Sequence, residues 1–393
     1  MEYHFSTYYS EFYKLPKPFA FVDLDAFDYN LKQLLQRTGN KPVRLATKSV
    51  RSVAMLERAR DLGKIERWMC FTLSEALYLE SLGFDDLMVA YPSVQETGME
   101  RLADALNRGK KIYLTVDTSY HLQKLQSYAE KYDMTMLLSM DVDVSMDFMG
   151  VHFGVYRSSI HSVEDVKHFL TELKKYPGLA LKGVMTYDAQ IAGVADSRKG
   201  NVLNPILRFL KRKSLPEIEK QRRKVLDLIK SEWFTLDYFN AGGTGSIEIV
   251  SQDEVVTEVT FGSGLYQPWY FDGFHNFNHQ PAAGFVLELC RNPQSNYYTA
   301  LGGGYIASGK IGIDKQPLLV YPKGKLVKEE GCGEVQTPIQ VKELVDLNQT
   351  NFAVFRHAKA GELCERFKEL KLFSGGKLVD TVTTYRGDGQ CFL

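Results

Sequence analysis

The chain has 393 residues, 44% of them hydrophobic, which is enough for a large core or for two domains. It carries 48 lysines and arginines against 48 aspartates and glutamates, so its formal net charge is zero. This balance provides no long-range field for binding nucleic acid or an anionic membrane, and no apolar run approaches the roughly 20 residues that span a bilayer.

The predicted elements begin with an aromatic segment, residues 1–17, which lacks the apolar stretch of a signal peptide. From residue 26 onward, segments with helical periodicity alternate with short apolar runs that predict strands. The eight predicted strands are Val43–Thr47, Trp68–Thr72, Leu87–Tyr91, Ile112–Val116, Met136–Val142, Gly183–Tyr187, Thr235–Asn240 and Val256–Phe261. Eight β/α units in about 220 residues predict a (β/α)8 TIM barrel over residues 18–268. The alternative is a doubly wound open sheet, which usually has a phosphate loop after its first strand, and that loop is missing here.

The composition changes after about residue 270. Glycine, proline and alternating strand-like stretches such as "AAGFVLELC" and "KLVDTVTTYRG" predict a mostly β C-terminal domain over residues 269–393. We expect the aromatic segment 1–17 to pack with this domain. The fold class predicted from the sequence is therefore α/β, a TIM barrel followed by a β domain.

Lys48 is the first candidate functional residue, because it follows the first predicted barrel strand directly. Chemistry in TIM barrels is placed at the carboxyl ends of the strands. A lysine amine that is desolvated at this position has a lowered pKa and can serve as a nucleophile. The alternative is an ordinary solvated lysine at the end of a strand.

The loop "NAGGTGSIE" follows the seventh predicted strand. Its glycines, Gly242, Gly243 and Gly245, allow several backbone N–H groups to point the same way, and Thr244 and Ser246 add hydroxyl donors. Such a loop predicts a phosphate site, which TIM barrels often place after this strand. A plain glycine turn remains the alternative.

A second loop of small residues, "TFGSGLY", follows the eighth predicted strand. Gly262, Ser263 and Gly264 lie there, so two neighbouring loops fit one phosphate group. Lys48, across the mouth of the barrel, fits an aldehyde on the same molecule. Pyridoxal phosphate has both groups, and the combined pattern therefore predicts this cofactor.

These motifs resemble those of the fold-type III pyridoxal-phosphate enzymes. That group includes alanine racemase, D-threonine aldolase and eukaryotic-type D-serine dehydratase, and the chain is most similar to bacterial amino acid deaminase/aldolase proteins. The resemblance covers nearly the whole chain. Its motifs are "RLATKS", "MDVDVSMDFMGVHFGVYRSS", "GVMTYDAQ", "NAGGTGS", "TEVTFGSGLY", "RHAKAGELCERF" and "TYRGDGQCFL".

The resemblance implies a role for particular residues. Lys48 would hold the cofactor as an internal aldimine, and the loops from Gly243 to Ser246 and from Gly262 to Gly264 would bind its phosphate. Tyr187 would lie near the pyridine ring, although it can equally pack inside the barrel. His152 would replace a racemase arginine that contacts the cofactor's phenolic oxygen, although it can equally be a loop histidine.

Two departures from the family pattern concern charge. Where racemases place an arginine facing the ring nitrogen, this chain has Thr260, which supplies no fixed positive charge. Relatives that bind a divalent ion use a histidine followed two residues later by cysteine or aspartate. His357 matches the histidine, but position 359 is lysine. The sequence therefore leaves open whether a metal ion binds, with Glu362, Cys364 or Asp388 as the candidate substitute ligands.

The resemblance implies a pyridoxal-phosphate-dependent lyase for small D-amino acids, especially β-hydroxy ones, with His357 as the second catalytic residue. The alternatives are an amino acid racemase, with Tyr305 as a candidate second base, and a non-catalytic protein that binds pyridoxal phosphate. We also expect a homodimer and no nucleic-acid or membrane partner. The five scattered cysteines form no CxxC pair and predict a reducing, cytoplasmic location.

Overall fold

The structure is a computed structural model that describes residues 4–310 and 312–393. The described chain begins with helix α1 (Tyr9–Lys14), strand β1 (Phe19–Asp23) and helix α2 (Leu24–Arg37). Asp23 ends β1 and also caps α2, because its side chain accepts a hydrogen bond from the backbone of Ala26.

A closed eight-stranded barrel forms the centre of the molecule. Its first five strands are neighbours in chain order: β2 (Val43–Ala46), β3 (Arg67–Cys70), β4 (Leu87–Val89), β5 (Ile112–Val116) and β6 (Met136–Asp141). A two-stranded hairpin follows, made of β7 (Met146–Phe148) and β8 (Val151–Phe153). Three further strands then close the barrel: β9 (Leu179–Thr186), β10 (Tyr238–Ala241) and β11 (Glu258–Phe261). All pairs in the barrel are parallel, and the predicted TIM barrel and its eight strands are confirmed.

Helices surround the barrel and connect its strands. They are α3 (Val53–Gly63), α4 (Leu73–Ser81), α5 (Met99–Asn107), α6 (Ser119–Lys131), α7 (Val163–Leu173), α8 (Ala189–Ala192), α9 (Asn204–Ser231) and α10 (Ile247–Val250). Their starts follow local rules: Thr72 caps α4, and Ser162 with Asp165 forms a capping box on α7. In the described part of the chain, no helix combines the length and apolarity that a membrane crossing needs.

The rest of the chain forms a nine-stranded sheet with β1. Its strands are β12 (Ala283–Gln294), β13 (Tyr297–Leu301), β14 (Leu318–Tyr321), β15 (Gly324–Leu326), β16 (Gln336–Val341), β17 (Phe352–Arg356), β18 (Glu369–Ser374) and β19 (Lys377–Thr383). Strand β1 lies between β12 and β18, antiparallel to the first and parallel to the second. It therefore belongs to this sheet, although it falls inside the range 18–268 that we predicted for the barrel. The mostly β C-terminal region is confirmed.

Residues 4–17 of the aromatic N-terminal segment pack on this sheet, and residues 1–3 lie outside the described part of the chain. Phe5, Tyr8 and Phe12 are buried in one apolar cluster with Phe21 and Phe373. The ring centroids of Phe12 and Phe21 lie 4.8 Å apart. Burial of these large rings fixes the segment to the sheet rather than to the barrel.

Candidate active site

A cavity of about 980 Å³ opens at the carboxyl ends of the barrel strands. One wall comes from the ends of β2, β3, β4, β9, β10 and β11. The other wall comes from residues 305–308 and 357–366 of the C-terminal region. This volume suits a cofactor together with a small substrate.

Lys48 lies in this cavity, on a single turn of 3-10 helix (Thr47–Ser49) that follows β2. Its side chain keeps accessible surface, which it presents to the cavity, and its amine forms no hydrogen bond with the described residues. Burial lowers the pKa of the amine, and the charges of Arg157, Arg51 and Lys359 lower it further. The lowered pKa increases the share of the neutral, nucleophilic form of the amine.

Gly361, in the C-terminal region, holds the backbone of Lys48 in place from the other wall. Its φ is +81°, and a Cβ at this position would overlap the carbonyl oxygen of Lys48 and lie 2.9 Å from the carbonyl carbon. Only glycine allows the two segments to approach so closely. The position of Lys48 therefore depends on a contact between the barrel and the β region.

The loop after β10 brings Gly243 and Thr244 to the cavity. A Cβ on Gly243 would lie 2.9 Å from that of Ala192, so the backbone passes close to this neighbour. Gly245 and Ser246 are not among the lining residues. Gly245 packs against Ala192 instead, and the hydroxyl of Ser246 accepts a hydrogen bond from the backbone of Gly243 at 3.2 Å. These two residues therefore support the loop without lining the cavity.

The loop after β11 brings Gly262 and Ser263 to the same cavity. The hydroxyls of Ser263 and Ser49 lie 3.2 Å apart, which joins this loop to the turn that carries Lys48. Gly264 does not line the cavity. Its N–H donates a hydrogen bond to the hydroxyl of Thr244 at 3.1 Å. That bond joins the two glycine loops.

Arg157 lines the cavity, whereas His152, the residue that we predicted near the cofactor, does not. His152 lies on β8, outside the residues that line the cavity, where it bonds Asp147 at 2.9 Å and stacks on Tyr156. Arg157 lines the cavity and is held by Asp141 at 2.7 Å. The hairpin turns the chain so that the arginine of "GVYRSS" faces inward, a change of direction that sequence spacing does not reveal.

Tyr187 and Thr260 line the cavity as well. Burial raises the pKa of Tyr187 to about 12, so its hydroxyl stays protonated. The hydroxyl of Thr260 accepts a hydrogen bond from Asn240 at 2.8 Å, and Asn240 in turn donates to Glu258 at 2.9 Å. Glu258 pairs with the buried Arg44 at 2.5 Å. Thr260 is thus tied to a polar network inside the barrel.

The lining is strongly basic. Among the residues described it contains two acidic side chains, Glu362 and Glu365, and seven basic ones: Lys48, Arg51, Arg157, Lys315, Lys359, Arg366 and Arg386. Asp141 and Asp314 pair with two of these groups, Arg157 and Lys315. The positive charge that remains attracts anionic ligands such as phosphates and carboxylates.

His357 lines the cavity and is almost fully buried. Burial lowers its pKa to about 3, and the neighbouring charge of Arg356 acts in the same direction. The backbone of Ala283 partly offsets this shift, without forming a hydrogen bond of normal geometry to either ring nitrogen. The imidazole is therefore neutral and available as an acceptor.

The donor set around His357 does not fit a divalent metal ion. Among the residues described, no group of three or more histidine, cysteine, aspartate or glutamate side chains is arranged to bind one. Cys364 instead contacts the carbonyl of Val50, and Asp388 accepts a hydrogen bond from Tyr78 at 2.9 Å. Lys359 brings an ammonium group to the same wall, and a cation is not a ligand.

Comparison with known proteins gives relatives of low sequence identity. A curated 3-hydroxy-D-aspartate aldolase from Paracoccus denitrificans (strain Pd 1222) is 21% identical over 266 residues, which is 67% of this chain and 63% of that protein. The match thus spans less than two thirds of the curated relative.

Two solved structures share the fold over nearly the whole chain. D-threonine aldolase from Filomicrobium marinum superposes with a TM-score of 0.79 at 16% identity, covering 95% of each chain. D-threo-3-hydroxyaspartate dehydratase from Delftia sp. HT23 superposes with a TM-score of 0.76 at 16% identity, covering 94% of this chain and 97% of that one.

The family model described as alanine racemase, N-terminal domain, matches residues 22–268. That range takes in all eight barrel strands, the lysine after β2 and both glycine loops. The chain therefore belongs to the alanine racemase N-terminal domain family, as the sequence motifs predicted.

Proposed function

We propose that this protein is a pyridoxal-phosphate-dependent lyase that acts on D-amino acids with a β-hydroxyl group, as an aldolase or a dehydratase. One observation carries the proposal: the amine of Lys48, with its lowered pKa, faces the same cavity as the glycine loops after β10 and β11. The names of the relatives, two aldolases and a dehydratase of D-amino acids, support this class of reaction.

The residues of the cavity fit pyridoxal phosphate at both ends. Lys48 offers an amine, while Thr244 and Ser263 offer hydroxyl groups beside the backbone of Gly243 and Gly262. When bound, pyridoxal phosphate supplies an aldehyde that condenses with amines and a ring that takes up electrons from a bond broken at Cα. The basic lining favours both the phosphate and the carboxylate of an amino acid.

Two further side chains receive roles in this proposal. His357, neutral and buried, accepts a hydrogen bond from the substrate's hydroxyl group. Tyr187 stays protonated and donates a hydrogen bond within the cavity. The neutral amine of Lys48, which lies free in the cavity, can in turn accept a proton there.

Turnover in heavy water tests the proposal. Purified enzyme loaded with pyridoxal phosphate is mixed with D-threonine, D-serine or D-3-hydroxyaspartate as single enantiomers. A lyase releases an aldehyde, or ammonia with a keto acid. A racemase, for which Tyr305 in the cavity would be the second base, instead loses optical rotation and keeps its substrate mass apart from deuterium. Bound cofactor without turnover would indicate a non-catalytic binding protein.

We further propose a homodimer in which a second copy covers the mouth of the cavity. Several apolar side chains are exposed around the β7–β8 hairpin and the start of α9: Met149, Val151, Tyr156, Val202, Leu203 and Ile206. Tyr156 precedes Arg157, which lines the cavity, so this surface borders the site. Several exposed apolar side chains in neighbouring segments are typical of protein interfaces. We expect a dimer in sedimentation analysis, and the double variant Met149→Asp/Tyr156→Ser to be monomeric.

A cytoplasmic location is also proposed. All five cysteines are free thiols, and Cys290 and Cys391 are exposed. Exposed free thiols persist most readily in a reducing compartment. Fractionation of the native cells would test this.

A further inference from the structure

The segment from His357 to Glu362 forms the wall of the cavity that faces Lys48. Gly361 touches the backbone of Lys48, and His357 and Lys359 both line the cavity on the same segment. The charge of Lys359 is close enough to contribute to the lowered pKa of Lys48. The side chains of this segment would therefore contact the part of a substrate that extends away from the barrel.

Lys359 is held in place without being neutralised. Its ammonium lies 3.3 Å from the hydroxyl of Ser308, and the backbone N–H and hydroxyl of Ser308 both donate to Glu362. Among the described residues, no carboxylate lies within ion-pair distance of Lys359. The other cavity lysine on this side, Lys315, differs because it pairs with Asp314 at 2.6 Å.

The groups near Lys359 on this wall are either already hydrogen-bonded, as Glu362 is, or neutral, as His357 is. Glu362 accepts both donors of Ser308, and the two ring nitrogens of His357 are free of normal hydrogen bonds. The wall thus presents one compact positive charge and one neutral acceptor to the cavity. An ammonium group with free donors binds alkoxide, hydroxyl and carboxylate oxygens.

On the basis of the proposed function, we propose that Lys359 and His357 form a metal-independent subsite for the oxygen-bearing side chain of the substrate. Both side chains line the cavity, and the surroundings of His357 lack the other ligands that a divalent ion would need. The subsite suits a β-hydroxyl group, and a β-carboxylate beside it increases the attraction. Lys359 is a substrate-binding residue in this arrangement.

A metal titration of the wild-type protein tests the inference without measuring turnover. MnCl2 is added to the holoenzyme in a calorimeter, and the same titration is run on His357→Ala. We expect no saturable binding that depends on His357. Stoichiometric Mn²⁺ binding that disappears in His357→Ala would overturn the inference and would leave the proposed lyase function standing.

Steady-state kinetics test the role of the ammonium directly. Lys359→Met should raise KM for D-3-hydroxyaspartate about tenfold to a hundredfold, because a charge-assisted hydrogen bond is lost. Lys359→Arg keeps the charge and should recover most of the affinity, and EDTA should leave the wild-type rate unchanged. The exposed Lys377→Met on β19 is the matched control.

The controls separate the possible failures. The absorbance of bound cofactor shows whether each variant still folds and binds pyridoxal phosphate. An unchanged KM in Lys359→Met, or wild-type activity that is lost in EDTA and restored by Mn²⁺, contradicts the subsite alone. If the wild type turns over no D-amino acid, the proposed function fails, and the metal titration still decides whether a divalent ion binds at His357.

Discussion

Gly361→Ala should damage the site although position 361 carries no functional group. The new Cβ would overlap the carbonyl oxygen of Lys48 and lie 3.1 Å from the Cα of Ser49, so one of the two backbones must move. The left-handed φ of +81° adds a conformational cost of about 1 kcal/mol. Overpacking of this kind costs a further ~1–3 kcal/mol. We expect the free energy of unfolding to fall by about 2–4 kcal/mol.

Gly83→Ala is the matched control, because Gly83 has a φ of +90° and open space where its Cβ would be. It should cost only the conformational term, about 1 kcal/mol. Urea unfolding of both variants isolates the steric contribution, and fluorescence titration with pyridoxal phosphate measures its consequence for Lys48. We expect Gly361→Ala to bind the cofactor at least tenfold more weakly than Gly83→Ala does. Equal stability and equal cofactor affinity in the two variants would refute the proposed support of Lys48 by the β region.

Three other predictions concern buried charges and the reassigned arginine. Burial raises the pKa of Glu75 from 4.5 to about 7, so its proton binds more tightly in the folded state, and stability is lost as pH rises through 7. Glu75→Gln should therefore be more stable than wild type at pH 8, by roughly 3 kcal/mol, with no difference near pH 4; a variant that is less stable at pH 8 would contradict this. Arg44→Met leaves Glu258 buried and poorly paired and should cost about 3 kcal/mol in urea unfolding, much of which the second change Glu258→Gln should restore. Arg157→Met should weaken cofactor binding about tenfold, whereas His152→Ala should leave it within about twofold; the reverse order would return the role to His152.

The sequence predicted the barrel well because barrel strands carry a local signal. Each strand is a short, mostly apolar run, and the loops after β10 and β11 carry their own glycines. Lys48, Gly243 and Gly262 could be predicted because each comes just after a barrel strand. The carboxyl ends of all strands in a parallel barrel lie at the same end of the barrel, which is where TIM barrels place their active sites.

Features that depend on contacts between distant parts of the chain could not be predicted from the sequence. Strand β1 falls in the range that we predicted for the barrel, yet it pairs with β12 and β18, because pairing is decided by partners hundreds of residues away. The contact of Gly361 with Lys48 is of the same kind. The presence of Arg157 rather than His152 in the cavity lining has a different cause. The β7–β8 hairpin reverses the chain between β6 and α7, and spacing in the sequence does not reveal which side chain then faces the cavity.

The central claim is that Lys48 is the amine that meets the cofactor, and reductive trapping tests it most directly. The protein is incubated with pyridoxal phosphate, reduced with borohydride, digested and mapped by mass spectrometry. Three lysines line the cavity, Lys48, Lys315 and Lys359, so the cofactor could react with any of three amines. We predict that the pyridoxyl adduct lies on the peptide containing Lys48 and is lost in Lys48→Ala. An adduct on Lys315 or Lys359 of the wild type, or none at all, would contradict the account.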